Sequence, residues 1–162
     1  MAYQFENVKL DKGMYSEAGT SFTKVLEPSG YNLGEFYPDR CHFPVNGRVP
    51  ITFSPLVTYK PEQYIVDEAE YHDYTCEGVI PMDDDVVLHV DPASPGPVPE
   101  LTEAFIVPKG TAVRLNPGVW HKAALPVNND VCHVLIVLPE RTYHNDCVVV
   151  GYADEDKVLI EL

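Results

Sequence analysis

Two short segments hold most of the side chains that could do chemistry: Glu70-Tyr71-His72-Asp73-Tyr74-Thr75-Cys76-Glu77 and Gly110-Thr111-Ala112-Val113-Arg114-Leu115-Asn116-Pro117-Gly118-Val119-Trp120-His121. Glu70 and His72 stand two apart, so on an extended strand they leave by one face while Tyr71 points the other way. Glu77 lies five beyond His72, an odd offset that a single strand would put on the opposite face. A tight reversal around Asp73–Thr75 would return Glu77 beside His72 from the neighbouring strand. In the second segment, Asn116-Pro117-Gly118 has type II turn chemistry: Pro fixes φ and Gly accepts a positive φ, so the strand carrying His121 starts at a defined angle. Two imidazoles and a carboxylate make an ordinary site for nickel, zinc, manganese or iron, with positions left for water or substrate. The alternative, partly buried and hydrogen-bonded histidines, stays open on spacing alone.

Other candidates flank these. Glu70 reads as a fourth ligand, a general base raised by a low-dielectric interior, or an exposed strand carboxylate. Trp120 could wall a pocket, bond substrate through its indole N–H, or belong to the core. Lys122 and Arg114 could neutralise an anionic substrate, or face solvent. Alternation puts His133, Leu135 and Val137 on one face, so His133 reaches a pocket if that face lines the interior and is otherwise a satisfied core histidine. His89 is ambiguous in the same way, while His42 and His144 sit beside turn-like residues. Cys41, Cys76, Cys132 and Cys147 are scattered without a CxxC pair, and read as reduced packing thiols rather than a disulfide framework, zinc site or nucleophiles.

The elements that must position these groups are short. Fifteen prolines and ten glycines cut the chain into brief runs rich in Val, Ile, Tyr and Phe, which predicts an all-β sandwich or barrel. Expected strands are Val49–Phe53, Tyr64–His72, Glu77–Met82, Val86–Val90, Ala104–Val107, Ala112–Leu115, Lys122–Leu125, Cys132–Leu138, Val148–Gly151 and Val158–Leu162. A short helix is expected near Ser16–Leu26, capped by Thr20 or Ser21. The proline-rich Asp91–Pro99 reads as a loop within one domain, and Asp83–Asp84–Asp85 as a solvated turn.

With 162 residues the chain is long enough for one domain with its own core. Eleven Lys and Arg against 25 Asp and Glu give a formal charge of −14, which repels a phosphate backbone and excludes nucleic acid as the expected partner. Its 45% hydrophobic content is too rich for a disordered acidic chain. The N-terminus lacks the charge and apolar pattern of a signal peptide, and no apolar run is long enough for a membrane span, so a cytoplasmic location is expected.

The first segment resembles the first cupin motif, with Glu70 in the place of its first His, His72 as the second, and Glu77 after four intervening residues. Tyr64 and Asp84 stand where that motif has glycines. The second segment resembles the second cupin motif through Gly110, Gly118 and His121, with Asn116 in the place of its Pro and Leu125 in the place of its last Asn. A narrower resemblance is to the ureidoglycolate lyase family, carried by the Glu-x-His run ending in Ile80-Pro81-Met82, by Ala104-Phe105-Ile106, by Val119-Trp120-His121 and by Asp146-Cys147. It spans roughly residues 64–150. The family's arginine ahead of the first motif has no counterpart; Leu56 or Thr58 falls near that place.

The resemblance implies a double-stranded β-helix, a jelly-roll barrel over about residues 49–162 after an N-terminal extension of about 48 residues. It implies His72, Glu77 and His121 in the barrel mouth, holding a divalent ion such as nickel, manganese or zinc, with no organic cofactor. It also implies a homodimer acting on a small anionic metabolite. The expected activity is carbon–nitrogen cleavage of ureidoglycolate, or a close 2-hydroxy-acid analogue, to glyoxylate and urea. Glu70 takes the hydroxyl proton in that scheme, and Cys147 is expected to be too distant to protonate the leaving nitrogen. The alternatives are an isomerase or lyase on a sugar acid, favoured by the missing arginine, and a non-catalytic metabolite-binding cupin.

Overall fold

The computed structural model describes residues 3–5, 8–9, 20–45 and 48–162. In chain order the strands are β1 (Tyr3–Phe5), β2 (Val8–Lys9), β3 (Thr20–Lys24), β4 (Ile51–Tyr59), β5 (Tyr64–Val66), β6 (Glu68–Tyr71), β7 (Glu77–Pro81) and β8 (Val86–Asp91). They continue with β9 (Glu103–Val107), β10 (Thr111–Leu115), β11 (Trp120–His121), β12 (Leu125–Pro126), β13 (Val131–Pro139), β14 (Val148–Gly151) and β15 (Val158–Ile160). The one α-helix among the described residues is the single turn α1, Thr142–Asn145. No helix among them is long and apolar enough to cross a membrane.

Two sheets, antiparallel except for the β2–β9 pair, form a jelly roll of the cupin type. One runs β3-β10-β7-β13-β4; the other runs β14-β6-β11-β8-β9-β2, with β12 also on β8. Their inward residues alternate along each strand and meet in one core: Val79, Val113, Leu115, Cys132 and Val134 from the first sheet, Val86, Leu88, Val90, Phe105 and Val107 from the second. The opposite face of β8 carries Val87 into a second cluster with Tyr64, Val66, Val158 and Ile160, under the small β1-β15-β5 sheet. His89 shares that outer parity. Burial, with His121 and Lys122 nearby, pushes its pKa down to about 3, so it is a neutral packed ring.

Several expectations are corrected. Thr20–Lys24 is a strand on β10, not part of a helix, because Thr and Phe suit a pleated, half-buried surface; residues 16–19 lie outside the described residues. The predicted Tyr64–His72 strand breaks at Asp67, so β5 and β6 join different sheets. The predicted Lys122–Leu125 strand resolves into β11 and β12 on either side of Lys122. The acidic triplet is a turn, but Asp84 is buried in it, accepting hydrogen bonds from the N–H groups of Asn128 and Asn129 and from the Asn128 amide.

Candidate functional site

Strand pairing assembles the site from distant sequence. Glu70 and His121 are register partners between β6 and β11, which puts their side chains side by side on one face. His72 follows Glu70 by two residues and shares that face. Asn116-Pro117-Gly118 turns as its residues dictate: Gly118 takes φ +79°, the Val119 N–H donates to Asn116 O at 3.2 Å, and the Gly118 N–H donates to His72 O at 2.8 Å. Glu77 does not return on the neighbouring strand. The reversal carries the chain into the opposing sheet, so Glu77 faces the histidines across the interior.

The three groups converge. Glu77 Oε2 lies 2.8 Å from His72 Nε2 and 3.1 Å from His121 Nε2, and all three residues are buried. The far ring nitrogens are committed: His72 Nδ1 donates to Asp146 O at 2.5 Å, and His121 Nδ1 donates to Val119 O at 2.9 Å. With Nδ1 protonated, each neutral imidazole turns an Nε2 lone pair toward the carboxylate. Three lone pairs facing one another require a cation between them, either protons on the imidazoles or a metal ion. The candidate ligand atoms lie within 4.8 Å of one another, so the donor set fits a divalent ion of the nickel, manganese or zinc kind. Burial pushes Glu77 upward, but the two imidazoles outweigh it and hold the carboxyl down at about 2. Burial depresses both histidines, and Glu77 reverses the sign, leaving His72 and His121 raised.

Glu70, His72 and Glu77 line a cavity of about 290 Å³ between the sheets. Lys122 also lines it, with its amine held by Asp67 and Glu68 at 3.0 and 2.9 Å. The other predicted substrate contacts lie elsewhere. Arg114 has the parity opposite to buried Val113 and Leu115, and its guanidinium donates to His42 O on the outer face of the sheet. His133 alternates outward from Cys132 and Val134, to pair with Asp83 at 2.5 Å on the surface. Trp120 is fully buried against Tyr71, its N–H spent on Ser94 O at 3.2 Å, so it packs the core and anchors the proline-rich loop.

Three residues of the site were not legible as such. The Asp146 carboxylate accepts the N–H groups of Asp73 and Tyr74 at 2.8 and 2.9 Å, fixing the reversal while its carbonyl orients His72. Tyr143, on α1, lines the cavity. Cys147 is not distant: its thiol donates to Glu70 Oε2 at 3.1 Å. Burial and then Glu70 push that thiol up to about 12, so it stays a neutral donor. Only the Asp146-Cys147 pair carried a signal, through its likeness to a family motif.

A jelly roll with two histidines and a glutamate converging inside defines a cupin-class protein. The chain belongs to the ureidoglycolate lyase family, whose model matches residues 40–160, and that membership makes it a lyase. No curated protein matches the chain.

Proposed function

We propose that the protein is a metal-dependent carbon–nitrogen lyase that cleaves ureidoglycolate, or a close 2-hydroxy-acid analogue, to glyoxylate and an amide-type leaving group such as urea. The observation that carries this reading is the convergence of His72, Glu77 and His121 beside a cavity that His72 and Glu77 line together with a carboxylate outside the triad, Glu70. His72, Glu77 and His121 would hold the ion, which when bound supplies Lewis-acid polarisation of the substrate's oxygens. Glu70 removes the substrate hydroxyl proton as the carbonyl forms and the C–N bonding pair moves to nitrogen. The same carboxyl then returns that proton to the departing nitrogen, so no external acid is needed. Cys147 holds Glu70 Oε2 in place, leaving Oε1 for the proton. The exposed Phe53, Val57 and Tyr59 on β4, an edge strand of its sheet, support self-association as a homodimer.

Glyoxylate release from ureidoglycolate by purified protein tests the reading, with chelation, nickel or manganese restoration, and His121→Ala as the control. Turnover lost on chelation, restored by metal and absent in the variant is expected. Turnover that survives chelation in a demonstrably metal-free sample overturns it.

A further inference from the structure

The two sheets give the cavity unlike walls. The seven-stranded sheet and its loops bring Glu70, His72 and Lys122, whereas the facing sheet brings Glu77 and then Val79, Leu56, Ile136 and Leu138. The strand register joins these apolar groups: Ile136 pairs with Val79 on β7 on one side and with Ser54 on β4 on the other, and Leu138 pairs with Thr52. Thr52 spends its hydroxyl proton on Leu138 O at 2.9 Å. The cation of the cavity, Lys122, is already neutralised by two carboxylates, and no arginine lines the cavity among the described residues. The charged groups therefore gather at one end, and a largely branched-aliphatic surface, with the Thr52 and Ser54 hydroxyls on β4, leads away from it.

Ureidoglycolate is polar at both ends. Its urea NH2, laid against Leu138, Ile136 and Leu56, would exchange water for a mostly hydrocarbon wall whose side-chain acceptors are the Thr52 and Ser54 hydroxyl oxygens, and any N–H these do not meet loses its hydrogen bond to water without replacement. A hydrocarbon group in that position gains from burial. Building on the lyase reading above, we propose that the preferred substrates are N-acyl-α-hydroxyglycines, R–CO–NH–CH(OH)–COO⁻, whose R is an alkyl or aryl group seated on the Leu56, Val79, Ile136 and Leu138 wall. The hydroxyl, carboxylate and scissile C–N bond are those of ureidoglycolate; R replaces its terminal NH2. The reaction balances without a co-reactant. The hydroxyl proton passes to Glu70, the oxygen's electrons form the carbonyl, and the C–N bond breaks with its pair on nitrogen. Nitrogen then takes the proton back from Glu70. The products are the primary amide R–CO–NH2 and glyoxylate.

Full-length protein loaded with nickel or manganese is assayed for glyoxylate from ureidoglycolate and from the acetyl, butyryl and benzoyl α-hydroxyglycines. The expected kcat/KM rises about fourfold per added methylene from acetyl to butyryl, and the butyryl and benzoyl compounds exceed ureidoglycolate. Leu138→Ala lowers the butyryl-to-acetyl ratio severalfold, a readout internal to each sample and insensitive to the fraction folded. Preference for ureidoglycolate, acyl rates independent of chain length, or an unchanged ratio in Leu138→Ala each overturn the substrate assignment and leave the lyase reading standing. No glyoxylate from any compound overturns both.

Discussion

Replacing Glu77 by Gln separates the metal-binding role of this residue from its part in the fold. In metal-free protein, above the raised folded pKa values of His72 and His121, the two neutral imidazoles keep their Nδ1–H groups on the carbonyls of Asp146 and Val119 and present Nε2 lone pairs to residue 77. A Gln amide has two N–H donors for those two acceptors. At that pH, metal-free Glu77→Gln should therefore match wild type within about 1 kcal/mol. Glu77→Ala, which strips the partner from both buried rings, should cost about 3–5 kcal/mol. The raised histidines of metal-free wild type contribute stability that is present below their unfolded pKa, about 6.5, and lost as pH rises through the folded values; Glu77→Gln should flatten that loss. Metal tells the opposite story. At free metal 100 times Kd, wild type gains about 2.7 kcal/mol, and a roughly 100-fold weaker site gains only about 0.4. The difference, about 2.3 kcal/mol, is about 5–9 °C in Tm for a domain of this size. Thermal unfolding with and without nickel measures it. A Glu77→Gln variant that keeps the full metal-induced shift would remove Glu77 from the ligand set.

Glu70→Gln should lower kcat about 10²- to 10⁴-fold in folded, metal-loaded protein. Cys147→Ala should cost about tenfold in kcat/KM through the freed Glu70 carboxylate, with Cys147→Ser restoring most of it; equal loss in both variants would mean the hydrogen bond is not what matters. Burial pushes Asp84 up, but hydrogen bonds from Asn129 and Asn128 prevail and hold it below its ordinary value. Its contribution is thus present above an unfolded pKa of about 3.9 and lost as pH falls through the lower folded value; denaturant titrations of Asp84→Asn should show a smaller loss as pH falls below about 4. Gly78→Ala should destabilise by about 1–3 kcal/mol, measured by denaturant midpoint, because a Cβ there would meet Phe43 at 2.7 Å and Val137 at 2.9 Å.

How much of this could be read ahead depended on the range of each signal. Period-two arithmetic put Glu70 and His72 on one face, and the Pro-Gly turn placed His121, because both are decided within a few residues. Parity alone could not choose which face is inward: in β13 the interior takes Cys132, Val134, Ile136 and Leu138, which sends His133 to the surface. The side of the barrel taken by Glu77 was equally hidden, since a reversal can lead to a neighbouring strand or across to the other sheet. The contacts of Asp146 with Asp73 and of Cys147 with Glu70 span 73 and 77 residues and depend on β14 pairing with β6. The apolar wall is a property of three strands in register, none of which carries it alone.

Product analysis during turnover of ureidoglycolate by the nickel- or manganese-loaded protein tests the central claim most directly, with urea, ammonia and glyoxylate quantified together. Cleavage of the C–N bond with Glu70 shuttling the proton predicts one urea for each glyoxylate, no ammonia, and loss of both products in Glu70→Gln. Ammonia in place of urea, or undiminished products from Glu70→Gln, would contradict it.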